Sequence, residues 1–369
     1  MRAQLTSRAF PSDSYNSRLQ PVSISLGSVL TLAYDYGSSN NNGNVQSLTI
    51  TPGSGQTPFV QNFLYDPLNR LQCGTETVSG TQQWKQTFGY DRSGNRWFDV
   101  ANTTASLLGP LTGQTDYNAT SNRIVKSGYS YDAAGNLCFE PGKSYTYDAE
   151  NRLVTATNGT SSSYVYDGEG RRVKKTVGAV STRLVYNQGG QLIGEYDGSG
   201  SLIKEYVYGG AGLIATCEPS NGVRYVTADH LGTPRVWTKS DGSVADYGRH
   251  DYAPFGEELF AGLGGRTGGT SGQKYATVTQ ADGQRKQFVG KERDSETGLD
   301  YFLARYYSST HGRFTSPDEF NGGPIEVFAA TASTNPTFYA DLTNPQSLNK
   351  YHYAYNNPLR YKDPDGHES

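Results

Sequence analysis

The chain has 369 residues, of which 35% are hydrophobic and 18% charged, with a formal net charge of −3 at pH 7. That balance leaves no basic stripe to neutralise phosphates, so nucleic-acid binding is disfavoured, and no run of eighteen apolar residues exists to span a bilayer. Cys73, Cys138 and Cys217 are odd in number, far apart and free of CxxC spacing, and the five histidines show no paired spacing; neither a disulfide framework nor a metal site is indicated, and no cofactor is expected.

From the N-terminus, Met1-Arg2-Ala3-Gln4-Leu5 lacks the apolar run of a secretion signal. A Tyr-Asp pair then recurs with a Gly or Asn on the fourth position after the tyrosine: Tyr65-Asp66 with Asn69, Tyr90-Asp91 with Gly94, Tyr131-Asp132 with Gly135, Tyr147-Asp148 with Asn151, Tyr166-Asp167 with Gly170, and Tyr196-Asp197 with Gly200. Looser copies stand at Tyr34-Asp35, Tyr117-Asn118 and Tyr186-Asn187. A self-similar unit at roughly twenty residues marks a repeat architecture. Runs such as Tyr145-Thr146-Tyr147 and Tyr164-Val165-Tyr166 have the period of two and the aromatic, β-branched content of strands. The aspartate opens a turn by accepting backbone N–H bonds, and Gly or Asn supplies positive φ, as in a type I turn closed by a G1 bulge. Each unit is therefore predicted to be a β-hairpin, its tyrosine hydroxyl free to reach water or a neighbouring backbone.

Three stretches follow from this spacing: repeats over 1–225, a different series of strands and turns over 226–320, and a terminal segment over 321–369. Residues 262–272 are Gly/Thr-rich but lack the strand, Lys-Ser/Thr and helix context of a phosphate loop, so a flexible surface loop is expected. Residues 325–332 have helical character and lead toward the aromatic run Tyr351-His352-Tyr353-Ala354-Tyr355 and the final Asp363-Pro364-Asp365-Gly366. The glycosylation-type spacings at Asn102, Asn118 and Asn158 read as turn residues.

The repeats resemble the YD repeats of the RHS family, and the following stretch is similar to its RHS repeat-associated core. The segments that carry the likeness are Asp229-His230-Leu231-Gly232-Thr233-Pro234-Arg235, Tyr252-Ala253-Pro254-Phe255-Gly256, Phe288-Val289-Gly290-Lys291-Glu292-Arg293-Asp294 and Thr297-Gly298-Leu299-Asp300-Tyr301-Phe302. They continue with Ala304-Arg305-Tyr306-Tyr307, Gly312-Arg313-Phe314-Thr315-Ser316-Pro317-Asp318, Tyr355-Asn356-Asn357-Pro358-Leu359 and Asp363-Pro364-Asp365-Gly366. The resemblance implies an all-β fold in which hairpins spiral into a shell closed by the C-terminal core, as in teneurins and the C component of Tc toxin complexes. It also implies a scaffold that encapsulates a C-terminal toxin cargo, and a core that cuts its own chain just after the terminal Asp-Pro-x-Gly in the manner of an aspartyl protease.

Such a cut needs two carboxyl groups held close enough that one keeps its proton while the other activates water. The family pattern maps them onto Asp318 and Asp363, with Arg313 as the group that positions the scissile carbonyl or holds a carboxylate ionised; Asp365, Arg293 and Asp294 stand in reserve. This chain departs from the pattern in reading Asp318-Glu319-Phe320-Asn321 in place of Asp-Pro-x-Gly, in the insertion over 325–346, and in His367 where leucine is usual. Only Glu368 and Ser369 follow, so the cargo is expected to lie outside this sequence. The expected setting is the closing end of a longer secreted or cell-surface shell, partnered by a toxin cargo or an upstream YD-repeat chain. The alternatives are an active self-cleaving protease and a cell-surface adhesion or carbohydrate-binding protein that contacts glycans.

Overall fold

The computed structural model describes residues 11–104, 112–210, 212–318 and 345–367. The segment 325–332, expected to be helical, lies outside the described residues. Strands β1 (Ser12–Tyr15) to β8 (Arg96–Phe98) form an eight-stranded sheet and β9 (Ser130–Tyr131) to β21 (Val244–Arg249) a thirteen-stranded one. Both are antiparallel meanders in which each strand pairs with its neighbour in sequence.

The turn chemistry explains the meander. Asp66 Oδ1 accepts the backbone N–H groups of Leu68 (2.9 Å) and Arg70 (3.0 Å), while Oδ2 accepts Arg70 Nε (2.7 Å). Asn69 returns its N–H to the Asp66 carbonyl at a φ of 62°, and the strand register slips between Leu64 and Tyr65. This is the type I turn with a bulge, and the same bonds recur at Asp91, Asp148 and Asp167.

The tyrosines join one unit to the next. Tyr65 Oη donates to the Val45 carbonyl (2.8 Å), Tyr166 to Leu153 (2.7 Å), Tyr186 to Arg172 (2.9 Å) and Tyr208 to Leu192 (2.9 Å), so these four hydroxyls tie their units to backbone earlier in the chain. The basic residue after the turn stacks on the next tyrosine, Arg70 over Tyr90 (4.5 Å) and Arg152 over Tyr166 (5.3 Å). Tyr166→Phe is expected to cost about 0.5–1.5 kcal/mol, the usual net worth of one hydrogen bond. An unchanged urea midpoint would show that this ladder contributes nothing.

The wall does not stop where the Tyr-Asp spacing does. Strands β19 (Gly222–Ala228), β20 (Pro234–Lys239) and β21 extend the same sheet past residue 225. Between β19 and β20, Asp229 Oδ1 accepts the N–H groups of Leu231 (3.0 Å) and Thr233 (2.9 Å), with Gly232 at a φ of 86°. The turn persists although Ala228 stands in the tyrosine's place.

Residues 250–318 and 345–367 form a plug that packs on the buried face of the wall and holds a four-stranded sheet, β22 (Glu292–Asp294), β23 (Leu299–Tyr301), β24 (Tyr306–Ser308) and β25 (Arg313–Phe314). Phe255 and Tyr275 join the apolar cluster of the first sheet, and Leu299, Tyr301 and Tyr306 that of the second, with Leu137, Tyr145, Leu153 and Tyr164. A third cluster, including Phe288, Phe302, Tyr307, Phe314 and Tyr353, belongs to the plug, apart from Leu231 at a wall turn. The Gly-rich stretch 262–272 is anchored: Arg266 is fully buried, paired with Glu76 (2.7 Å) and Asp251 (2.9 Å) and lying over Phe59 (4.1 Å).

Candidate functional site

The terminal segment is keyed onto the tips of the wall's turns. Asn357 Nδ2 donates to Asn44 Oδ1 (2.9 Å) and to the Asn69 carbonyl (2.8 Å), Asn356 Nδ2 to the Gly94 carbonyl (3.0 Å), and Tyr351 Oη to the Gly135 carbonyl (2.7 Å). These bonds span more than two hundred residues of chain and bring Asp363 back onto the plug. There the Asp363 carboxylate folds the last turn on itself, Oδ1 accepting the N–H groups of Gly366 (2.6 Å) and Asp365 (3.2 Å). Gly366 has a φ of 91°, and a Cβ on it would lie 2.8 Å from the Phe302 carbonyl oxygen, so only glycine fits.

Asp318 and Asp363 meet on one guanidinium. Arg305 Nη2 lies 2.9 Å from Asp318 Oδ2 and 3.4 Å from Asp363 Oδ2. Its Nε donates to the Gly366 carbonyl, its Nη1 to the Lys350 carbonyl (2.9 Å), and its plane lies over Phe314 (3.7 Å). The side chain of Asp363 is fully buried and that of Asp318 15% exposed, so water reaches the second and not the first. Burial pushes the Asp363 carboxyl above its ordinary range, against the pull of Arg305 and of the two backbone N–H groups. Burial also lowers Arg305 from its ordinary value, opposed by Asp318, Asp363 and Asp365. His367 Nδ1 stands 3.3 Å from Asp318 Oδ1. Beside the pair opens a cavity of about 320 Å3, lined by Arg305, Pro317, Asp365 and His367 and by Arg152 and Arg171 of two wall turns.

The arrangement has the parts for acid–base work on a backbone amide: a carboxyl biased toward keeping its proton, a second carboxylate open to water, and a fixed cation between them. Of the residues nominated from the sequence, Asp318, Asp363 and Asp365 come together here. Arg313 sits elsewhere, its guanidinium over Tyr351 (4.9 Å) and Tyr117 (5.2 Å) and in contact with Asn95 and Asn349 (3.4 Å each). Arg293 and Asp294, adjacent on β22, serve different partners. Arg293 forks onto Asp300 of β23 (2.6 and 2.9 Å), while Asp294 meets Arg172 (3.1 Å) and Lys175 (2.6 Å) of the wall. The residue that sequence reasoning missed is Arg305. Its signal is an arginine just before the strand pair Tyr306-Tyr307, a placement that buries a cation and so demands carboxylate partners.

A meander of aspartate-capped hairpins packed on a C-terminal plug defines a repeat-built β-shell of the RHS/YD class. The chain belongs to the family described as the teneurin YD-shell, whose model matches residues 13–260, more than half of it. The tRNA nuclease WapA of Bacillus subtilis is 26% identical over 289 residues, covering 76% of this chain and 11% of WapA. Salivary gland surface protein 1 of Aedes aegypti is 23% identical over 333 residues (89% of this chain, 8% of that protein), and the probable deoxyribonuclease RhsA of Dickeya dadantii 27% identical over 272 residues (66% and 17%). Among solved structures, the TcdB2-TccC3-Cdc42 crystal structure matches with a TM-score of 0.68 at 20% identity, covering 96% of this chain and 18% of that one. The Photorhabdus luminescens Tc holotoxin pore matches with a TM-score of 0.64 over the same shares. At this identity the likeness shows the fold, and the chain spans only a small part of each relative's length.

Proposed function

We propose that this chain is the closing segment of a longer secreted or cell-surface RHS shell, and that it cuts its own backbone just after Asp363-Pro364-Asp365-Gly366 to free a C-terminal cargo polypeptide. The observation that carries the reading is the convergence of Asp318 and Asp363, far apart in the chain, on Arg305 beside the backbone that follows Gly366. Asp363 acts as the acid and Asp318 as the base. A water gives its proton to Asp318 as its oxygen attacks the scissile carbonyl carbon; the C–N bond then breaks and the departing amine takes the proton held by Asp363. Arg305 holds both carboxyls and, through Gly366, the segment to be cut. Strand β1 is exposed along its length and pairs only with β2 (Pro21–Leu26) among the described strands, a free edge suited to the last strand of an upstream repeat. WapA and RhsA, both named as nucleases, support a toxin-type cargo.

The test is the intact mass of the chain carrying a reporter protein after Ser369. A single cut within the first residues after Gly366 is expected, and both Asp318→Asn and Asp363→Asn are expected to abolish it. Asparagine at 363 keeps an oxygen for the Gly366 N–H, so the turn survives the exchange. An uncut wild-type chain, or a cut that persists in both variants, overturns the proposal.

A further inference from the structure

The turn that precedes the proposed cut is held at three consecutive carbonyls, each by a different donor of the plug. Arg305 Nε takes the Gly366 carbonyl, the Ala304 N–H takes that of Asp365 (3.0 Å), and Lys291 Nζ takes that of Pro364. The first is tied to the proposed chemistry and the second is backbone, which leaves Lys291 as a side chain whose contact with the turn has no other assignment. Lys291 lies just before β22, with its ammonium 5.0 Å over the Phe302 ring. The carbonyl of that same Phe302 leaves no room for a Cβ at Gly366.

We infer that Lys291 is a positioning residue for self-cleavage, its ammonium fixing the Pro364 carbonyl so that the peptide bonds after Gly366 stay in register with Asp318 and Asp363. The inference rests on the reading above and assigns Lys291 no contact with the reacting atoms. Pro364 has no N–H and its ring sets φ, so once its carbonyl is pinned few degrees of freedom remain in the turn. A charge-assisted bond is about twice as strong as a neutral one, so the contact depends on the protonation of the amine.

The charged groups facing Lys291 are Lys286, Lys362, Asp363 and Asp365. Burial, with Lys286 and Lys362, lowers its ammonium to about 8 in spite of the two aspartates. The amine is therefore charged below about pH 8 and neutral above it. Arginine at the same place stays charged through this range.

The experiment uses the full chain with a reporter after Ser369, purified in urea and diluted into buffers from pH 6 to pH 9.5, with the cut fraction followed over time. The wild type is expected to slow as the pH rises through about 8. Lys291→Arg is expected to keep its rate beyond that point, and Lys291→Met to be slower by about tenfold at neutral pH with no alkaline fall, the scale of a lost orienting contact. A second readout, independent of cleavage, is amide exchange in the uncut Asp318→Asn background, where Lys291→Met is expected to speed exchange at Gly366 and His367 while the wall strands keep their protection. Identical pH profiles for wild type and Lys291→Arg, or unchanged exchange in the tail, would overturn the inference. A wild-type chain that is not cut at any pH fails the proposed function instead, and the exchange measurement then still decides whether Lys291 holds the turn.

Discussion

Arg172→Met is expected to destabilise the protein by about 3–5 kcal/mol, the range for removing one partner of a buried ion pair. Arg172 opens β14 (Arg172–Val177) and has no exposed surface. Its Nη2 binds Glu292 (2.8 Å) and Asp294 (3.1 Å), and its plane lies over Tyr301 (4.5 Å) and Tyr164 (5.2 Å). It is thus the wall's main electrostatic grip on β22 of the plug, and methionine replaces the stacked volume without the charge. Burial alone would raise the Glu292 carboxyl, but Arg172, Arg285 and Lys175 together hold it well below the ordinary carboxylate range. A depressed carboxyl adds stability that is present above the unfolded value and lost as the pH falls through the folded one. The wild type should therefore lose this contribution only in strong acid, and Arg172→Met should have lost most of it already at pH 7. Urea midpoints for Arg172→Met, Asp294→Asn and the double variant measure it, with the double expected to cost less than the two singles combined because it leaves fewer unpaired charges. A loss below about 1 kcal/mol for Arg172→Met would show that this pair does not join wall to plug.

How much of this was readable in advance depends on the distance over which the physics acts. The hairpins are legible because an aspartate, its acceptor oxygens and a positive-φ residue act within five positions, as at Asp66 to Arg70. The extension of the wall past residue 225 is harder to read because Ala228 removes the tyrosine while Asp229 and Gly232 keep the turn. In Tyr-Asp-x-x-Asn the asparagine looks like a turn residue only. Its second use appears only in the fold, where Asn69 Oδ1 accepts Asn44 Nδ2 (3.0 Å) and Asn357 arrives from the far end of the chain to bond Asn44 Oδ1 and the Asn69 carbonyl. The choice between Arg313 and Arg305 is likewise set by contacts distant in the chain. Both are arginines near Asp318 in sequence, and nothing local says which faces the carboxylates. The position of Tyr351, far along the chain, helps decide it: Arg313 lies over that ring and Arg305 over Phe314.

Buried charge is what joins the two halves of the molecule. At three places where the wall turns an ionisable side chain inward, the plug answers with its opposite: Glu76 with Arg266, Glu195 with Arg285, and Lys175 with Asp294. Apolar packing alone would let the plug settle in several registers, whereas a mispaired buried charge costs several kcal/mol and rejects them. A plug held in one register is what a site assembled from Asp318 and Asp363 requires.

Arg305 puts that requirement to the sharpest test. Arg305→Lys is expected to slow the proposed cleavage by at least about a hundredfold, because an ammonium on a flexible stem cannot reproduce a planar fork that meets Asp318, Asp363, Lys350 and Gly366 at once. Arg305→Met should go further and separate catalysis from folding through its pH dependence. With the cation gone, the Asp363 carboxyl, already raised by burial, loses the largest influence that holds it down. A carboxyl whose folded value lies above its unfolded one binds the extra proton in the folded state, so stability falls as the pH rises through that window. Arg305→Met should therefore melt closest to wild type at or below the ordinary carboxylate value of about 4 and progressively lower as the pH rises above it, while the further change Asp363→Asn in the same chain should flatten that slope. Thermal midpoints across this range decide the matter. Parallel curves for wild type and Arg305→Met would mean that Arg305 does not set the protonation of Asp363, and the acid assigned to the cut would have to be sought elsewhere.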